Sequence, residues 1–532
     1  MTLLGTRWER MTRDARVDSS VVRWMLLCSA ISVSLRLPFF TVPLGVDEGG
    51  DSYIAREWGT TEGSMYGASW LDRSPLLVLL YKIGVLGGDR GVRLLGMVAA
   101  VLLVVGTMAI AHRLSGARAA RLTGVITAIM TSSLLLGAVF TVNELLAAVP
   151  VTYSILALVW ARDSTRSGPW LFASGLMASC GALIKESFLE ALAAGVVFLV
   201  VSRVMRDRTD FRATWVGWWS AGVAVPILLV MAWFEVFANG ARSFAYAMIG
   251  FRLDTLTAQA ESPLSPSYML VHLGLPVLVG SGCLLLAPWA VSWLLEHRAD
   301  PQLMLPLAAW LVVGFLGITG GGHYYPHYFI QPLAALAVLA GAALSASSRR
   351  VLAGVTAAAL VLLALGNLVI GDRLKTTDPP QEQTLAVASY LRANAHPDDT
   401  LYVMYARANL LYYARMPTPY PYAWSMMVRT VPSAEEQLRA VLKSSTARPT
   451  WIVEWHTSSE FGLDRSGETR RLIASHYVLA DTVCGKSILI RDDQAQRKLG
   501  RDADLVCAVA VPSNPGPAAQ WIPRDRARYL WQ

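Results

Sequence analysis

Charge is scarce in this sequence. Only 16% of its 532 residues are Asp, Glu, Lys or Arg, against about a quarter in an ordinary globular chain. With 54% hydrophobic residues and a mean hydropathy of +0.42, that deficit excludes a conventional soluble enzyme. Lysine is nearly missing, since 40 of the 46 basic residues are arginine; the bias goes with a GC-rich bacterial coding sequence, not with a binding function. There is no internal repeat and no heptad pattern, which excludes solenoids and coiled coils. There is no P-loop or dinucleotide fingerprint either, so nothing points to a nucleotide. The net charge of +8 sits in short clusters between apolar runs, where it sets membrane orientation, and no nucleic-acid partner is expected.

What is present is a series of apolar runs near 24–45, 94–112, 122–140, 145–160, 169–184, 188–202, 215–236, 269–291, 303–319, 328–346 and 351–371. They predict a mainly α, polytopic membrane domain of about eleven spans. The first is no cleavable signal peptide, because it is long, carries Arg36 and lacks a small-residue cleavage site. Alternate loops hold Arg113/Arg118/Arg121, Arg162/Arg166, Arg203/Arg206/Arg208/Arg212, Arg298 and Arg349/Arg350, and together with the basic N-terminus these are assigned to the cytoplasm of a bacterial cell. The runs at 169–184 and 188–202 are each short for a span and meet at Lys185-Glu186-Ser187. A tight hairpin with Lys185 at the outer surface is preferred there.

The composition turns polar after Gly371. The segments expected are a basic N-terminus 1–23, a membrane domain 24–371 with a first outer loop 46–93, an extracytoplasmic α/β domain 372–507 and an extended tail 508–532. Strand-like runs at Leu401–Tyr405, Trp451–Trp455 and Ser487–Arg491 alternate with amphipathic stretches at 381–395 and 433–444. Cys28, Cys180 and Cys283 read as small core residues. Cys484 and Cys507 fall in the outer domain, where a disulfide is permitted and would tie the last strands to the tail.

The first outer loop breaks the arginine rule, holding Arg56, Arg73, Lys82, Arg90 and Arg93 beside Asp47, Glu48 and Asp72. Asp47 and Glu48 at a span exit can serve as general base for a hydroxyl nucleophile; a merely solvated acidic loop is the bland alternative. Glu144, Lys185 and Glu186 lie at span ends on the same side, where ionisable groups line a site or pair with one another. Gly322-His323-Tyr324-Tyr325-Pro326-His327-Tyr328 is a hydrogen-bonding wall for a sugar or phosphate, or an interfacial aromatic belt. Two histidines around Pro326 with no third ligand make zinc a poor fit.

In order along the chain come Asp47-Glu48-Gly49 before Ser52-Tyr53-Ile54-Ala55, Tyr66-Gly67, Asp72-Arg73-Ser74-Pro75, Gly91-Val92-Arg93-Leu94-Leu95, Asn143-Glu144-Leu145-Leu146, Ile184-Lys185-Glu186 and Gly322-His323-Tyr324 before His327-Tyr328-Phe329. That order resembles the polyprenyl-phosphate-sugar-dependent membrane glycosyltransferases of the GT-C superfamily, nearest the protein O-mannosyltransferases and aminoarabinose transferases. The resemblance implies inverting transfer of a sugar from a polyprenyl-phosphate carrier to a hydroxyl of a glycan, lipid or protein. It implies Asp47 as base with Glu48 in support, Asp72-Arg73 as an acid-base pair that puts Arg73 on the donor phosphate, Lys185 as the basic residue at a span end, and His323 and His327 lining the cavity; charge and position add Arg56 to the phosphate ligands and Tyr53, Tyr66, Glu144, Glu186 and Tyr324 to the candidate substrate surroundings. No metal is obligatory, although a divalent ion is an option. The departure from the family's acid-Lys-Pro-Pro at Asp72-Arg73-Ser74-Pro75 bears on the register of Arg73. The alternative is a lipid or solute transporter, which predicts inverted-repeat halves that are not visible.

Overall fold

The computed structural model describes residues 19–59, 65–205, 211–238, 240–260, 265–320, 322–374, 379–405 and 407–500. Residues 1–18, the tail 508–532 and Cys507 lie outside the described residues. Among the described residues seven helices are long and apolar enough to cross a membrane, or eight if Pro266–Gly280 and Cys283–Glu296, bent by 68°, form one span. The chain is a mainly helical multi-pass membrane protein. All eleven apolar runs fall on helix, but several lengths differ from expectation.

The first helices are α1 (Ser19–Arg36), α2 (Val46–Glu57), α3 (Pro75–Val85) and α4 (Gly88–Met130). A straight α4 of 43 residues would be about 65 Å long, twice the roughly 30 Å hydrocarbon core. Gly116 prevents this: its φ of 81° and ψ of −170° lie where essentially only glycine goes. The two limbs return side by side, with Thr107 Oγ1 3.0 Å from Thr127 Oγ1, so the runs at 94–112 and 122–140 form one helical hairpin. Its second limb stops at Met130, ten residues before the apolar run does. Thr131–Phe140 instead makes turns held by buried Arg36, which donates to the carbonyls of Thr131 at 2.7 Å, Phe140 at 3.3 Å and Ala138. Arg36 likewise closes α1, short of the expected end at residue 45.

Next come α5 (Asn143–Asp163), α6 (Ser167–Ile184), α7 (Glu190–Val204) and α8 (Thr214–Phe237). The hairpin between α6 and α7 is as expected, but Lys185 at its tip is buried, at 5% exposure, and not at a surface. Glu144 draws it inward. A Cβ on Gly175 would stand 2.2 Å from the Trp219 carbonyl, and one on Gly222 2.1 Å from that of Phe172. The α6–α8 contact therefore requires glycine on both helices, as is common where lipid leaves helix association to close packing. Then follow α9 (Phe251–Ala260), α10 (Cys283–Glu296), α11 (Pro301–Thr319), α12 (Leu333–Ala346) and α13 (Arg350–Leu374). The alanine-rich α12 is buried almost throughout and forms the centre of the bundle.

After α14 (Pro379–Asn394) the chain builds an α/β domain: β1 (Leu401–Val403), α15 (Ala408–Ala414), α16 (Ser425–Thr430), α17 (Ala434–Lys443), β2 (Trp451–Glu454), α18 (Glu468–His476), β3 (Tyr477–Val483) and β4 (Lys486–Arg491). The sheet order is β1-β2-β4-β3, with β1 and β2 parallel and β4 antiparallel to both β2 and β3. β3 was not expected; it is an edge strand whose Val478 and Leu479 face outward. Of the aromatic residues between 412 and 424, Tyr420 and Tyr422 belong to this domain's core. Tyr412 and Tyr413 on α15 face the membrane domain: Tyr413 donates to Asp89 Oδ2 at 2.8 Å. Cys484 is in a disulfide and Cys28, Cys180 and Cys283 are free thiols.

Candidate active site

The site is organised around α2. Its N-terminus is closed by Glu48, whose Oε2 accepts from Gly45 N at 3.0 Å, and the first-turn carboxylates suit the positive end of the helix dipole. Gly49 and Gly50 follow, an unfavourable pair inside a helix. A Cβ on Gly49 would lie 2.3 Å from Asn409 Cβ, and one on Gly50 2.3 Å from the Trp424 ring. The two glycines thus let the C-terminal domain press directly on α2. As a consequence Trp424 Nε1 donates to Asp47 Oδ1 at 3.1 Å.

Asp51, one turn beyond Asp47, is buried at 3% exposure and hydrogen-bonded to Asn143. Burial, then the neighbouring Asp47, push its carboxyl up to about 8 against the opposing pull of Arg73 and Asn143, so Asp51 is protonated at neutral pH. Glu48 points elsewhere. It is ion-paired with buried Arg93, accepts from Thr141 N at 2.6 Å and braces the loop before α5. It is not placed to share work with Asp47.

The cations come from three other segments. Ser74 caps α3, accepting from Leu76 N at 3.3 Å, and donates to the Leu183 carbonyl at 2.7 Å, which fixes Arg73 beside the α6–α7 turn. Arg73 Nη1 is 2.6 Å from Asp72 and 3.7 Å from Glu186; Arg252 Nε is 2.8 Å from the same Glu186, and its Nη2 pairs with Asp72. Two guanidinium groups therefore alternate with two carboxylates. Burial opposes the charge on Arg73, but Asp72, Glu186 and Asp51 outweigh it and hold the group above its ordinary range. Arg73 Nε is buried with no hydrogen-bond partner. Deeper in, Lys185 Nζ is 3.1 Å from Glu144 and 5.0 Å from the centre of the Tyr328 ring, and His327 Nε2 is 3.9 Å from the same carboxylate.

His323 and His327 both contact the ring of Tyr325. Burial first, then Arg429, Lys185 and His327, push the His323 imidazolium down to about 4, leaving a neutral hydrogen-bonding ring at pH 7. Tyr324 sits beside Gly274 in a left-handed conformation. Among the described residues no group of three His, Cys, Asp or Glu is disposed to hold a metal ion.

Of the residues chosen from sequence, Asp47, Asp72, Arg73, Glu144, Lys185, Glu186, His323 and His327 come together. Arg56 does not: it pairs with Glu57 at 3.0 Å and donates to the Tyr412 carbonyl at 2.9 Å, joining α2 to α15. Tyr53 does the same work, its hydroxyl accepting from Thr418 N at 3.0 Å. Tyr66 supports the Arg73 loop by donating to the Arg73 carbonyl. Arg252, Trp424 and Arg429 were missed, because nothing local marks a residue that reaches the site from a distant segment; Asp51 was passed over although it lies one helical turn from Asp47.

Residues 74–234, which begin one position after Arg73 and carry Glu144 and Lys185, match the dolichyl-phosphate-mannose-protein mannosyltransferase family. No curated protein matches the chain by sequence. The crystal structure of ArnT from Cupriavidus metallidurans bound to undecaprenyl phosphate superposes with a TM-score of 0.61 at 17% identity, over 88% of this chain and 97% of that one. Its apo form gives the same TM-score and identity, over 88% and 98%. This chain has an ArnT-like GT-C fold. The oligosaccharyltransferase of Archaeoglobus fulgidus is a more remote neighbour, with a TM-score of 0.48 at 13% identity over 86% of this chain and 72% of that one. The GT-C fold expected from motif order is thus present along nearly the whole chain.

Proposed function

We propose that this protein is an inverting membrane glycosyltransferase that moves a sugar from a polyprenyl-phosphate carrier to a hydroxyl of a glycan, lipid or protein on the outer face of the bacterial cytoplasmic membrane. The observation that carries the reading is that Asp47, held by Trp424, and Arg73 both act on the buried carboxyl of Asp51, so the candidate base adjoins a cluster in which Arg73 and Arg252 share Glu186 and Lys185 pairs with Glu144. A glycosyl phosphate already has a good leaving group. The acceptor oxygen attacks the anomeric carbon as the carbon–oxygen bond to phosphate breaks; the bonding electrons leave with the phosphate, and Asp47 takes the hydroxyl proton. Arg73, with its unused Nε–H, Arg252 and Lys185 stabilise the departing phosphate, arginine by its fork geometry. The mannosyltransferase match over 74–234 and the undecaprenyl phosphate bound to the ArnT neighbour support a polyprenyl-phosphate donor.

The test is sugar transfer from labelled polyprenyl-phosphate sugars by the purified protein in lipid, wild type against Asp47→Asn, with envelope extract as acceptor. Transfer lost in a folded Asp47→Asn variant supports the class and the base together. Failure of the wild type to bind or turn over any donor in the panel removes the reading.

A further inference from the structure

Glu190 opens α7 and is wholly buried, at 0% exposure, yet the transfer chemistry leaves it unused. The acids nearest to it in the site have cations: Glu144 has Lys185 at 3.1 Å, and Glu186 has Arg252 at 2.8 Å and Arg73 at 3.7 Å. Among the described residues no Lys, Arg or His pairs with Glu190. Its Oε2 accepts from Gln331 Nε2 at 2.7 Å, and its Oε1 has no hydrogen-bond partner. A carboxylate stripped of water and given no cation is costly, and keeping its proton removes that cost.

Gln331 is itself buried and follows the turn Pro326–Ile330 that carries His327 and Tyr328. Its Nε2 donates twice, to Glu190 and to the Ser187 carbonyl, both at 2.7 Å, which uses both amide hydrogens. Gly317 on α11 leaves room for this side chain, since a Cβ there would stand 2.2 Å from Nε2. Three segments therefore meet at one amide. Two of them meet again at the cation: Lys185 Nζ lies 5.0 Å from the centre of the Tyr328 ring, and Glu144 is shared by Lys185 and His327. The turn 185–190 is thus held at one end by Glu144 and Tyr328 and at the other by Gln331. Its charge balance is close. Asp72, Glu144 and Glu186 already stand against Arg73, Arg252 and Lys185, so a further negative charge on Glu190 would turn the cluster against an anion.

We propose that Glu190 is a positioning residue that works as a protonated, uncharged carboxylic acid: with Gln331 it fixes the Lys185–Glu186 turn without adding a negative charge beside the donor phosphate. The inference rests on the glycosyl-transfer reading and adds to it a residue that acts through Lys185 and Glu186. The full-length protein in lipid nanodiscs is compared with Glu190→Gln, which keeps an acceptor for Gln331 and cannot ionise, and with Glu190→Leu and Gln331→Leu, which remove the hydrogen bond and keep most of the volume. At neutral pH the infrared spectrum of the wild type minus that of Glu190→Gln is expected to contain the carbonyl band of a protonated carboxylic acid and no carboxylate bands. Undecaprenyl phosphate is expected to bind Glu190→Gln within about twofold of wild type and each leucine variant roughly fivefold more weakly, the scale of one hydrogen bond. In sugar transfer the leucine variants are expected to raise the donor KM more than they lower kcat. The infrared comparison needs only the isosteric variant, so it stands even where a leucine variant fails to fold.

Carboxylate bands in place of the carbonyl band, a Glu190→Gln protein that binds as weakly as the leucine variants, or folded leucine variants with wild-type affinity overturn the proposal. A protein that shows the acid band and this pattern of affinities yet transfers no sugar from any donor keeps the role of Glu190 and loses the transferase reading. Sugar transfer that is unchanged in folded leucine variants does the reverse.

Discussion

Trp424, on the C-terminal domain, and Asp47, on the first helix after the opening span, share a hydrogen bond of 3.1 Å across 377 positions of sequence. The indole fills the space that Gly50 leaves open, so the bond and the domain contact are one feature. Trp424→Phe keeps most of the ring and removes the donor. It is expected to lower the turnover rate roughly tenfold, a hydrogen bond to a charged group contributing about 1.5 kcal/mol, with donor binding unchanged. Gly50→Ala pushes the ring away instead, and overpacking of this kind costs about 1–3 kcal/mol of stability. Steady-state kinetics and thermal melts of the two variants separate these effects; a Trp424→Phe enzyme with wild-type kinetics removes the indole from the positioning of Asp47.

The Lys185–Glu144 pair is almost fully buried, with side chains 7% and 3% exposed. Lys185→Met strands Glu144 without its main cation, a loss of about 3–5 kcal/mol for a broken buried pair. The double variant Lys185→Met with Glu144→Gln removes both charges and is expected to melt close to wild type. If Lys185 also serves the donor phosphate, that folded double variant binds undecaprenyl phosphate at least tenfold more weakly. Wild-type affinity in the double variant assigns Lys185 to folding alone.

The sequence made the helices legible because lipid imposes long apolar runs, and the sheet because β1, β2 and β4 are apolar on both faces. It misplaced Lys185 because hydropathy treats a lysine as a surface residue unless its partner is known, and Glu144 is 41 positions away. Arg36 gave no sign that it would end one helix and organise the Thr131–Phe140 turns. Glu48 and Asp47 are neighbours with the same charge, yet successive helix positions point about 100° apart, so one meets Arg93 and the other Trp424. Arg252 and Arg429 lacked any local pattern at all. Their relevance is created by tertiary structure.

The same geometry separates the two ends of the bundle. α4 starts beside the C-terminal domain at Asp89 and turns back at Gly116, so Arg113, Arg118 and Arg121 lie at the far end of the bundle from Asp47. By the arginine bias that far end is expected to face the cytoplasm. Arg465 and Arg118 are both exposed. In intact cells a membrane-impermeant maleimide is expected to label Arg465→Cys and to label Arg118→Cys only after permeabilisation. The opposite pattern places the candidate active site in the cytoplasm and rules out an outer-face reaction.

Asp51 gives the site a pH dependence of definite sign. Its carboxyl is held up at about 8 by burial and by Asp47, whereas in the unfolded chain it titrates near ~4. Between those values the folded state binds the extra proton, so this group favours folding most at low pH and the advantage is lost as pH rises toward 8. Above that, an ionised Asp51 stands beside Asp47 as a like charge and draws on Arg73. Wild-type activity is therefore expected to fall on the alkaline side with an apparent pKa near 8, a value set by the buried carboxyl. Asp51→Asn mimics the protonated form: it should flatten the alkaline limb and melt higher than wild type at pH 8.5, with the difference vanishing toward pH 4. Parallel melts and pH–rate profiles check both, and an alkaline limb that survives unchanged in Asp51→Asn assigns it to another group.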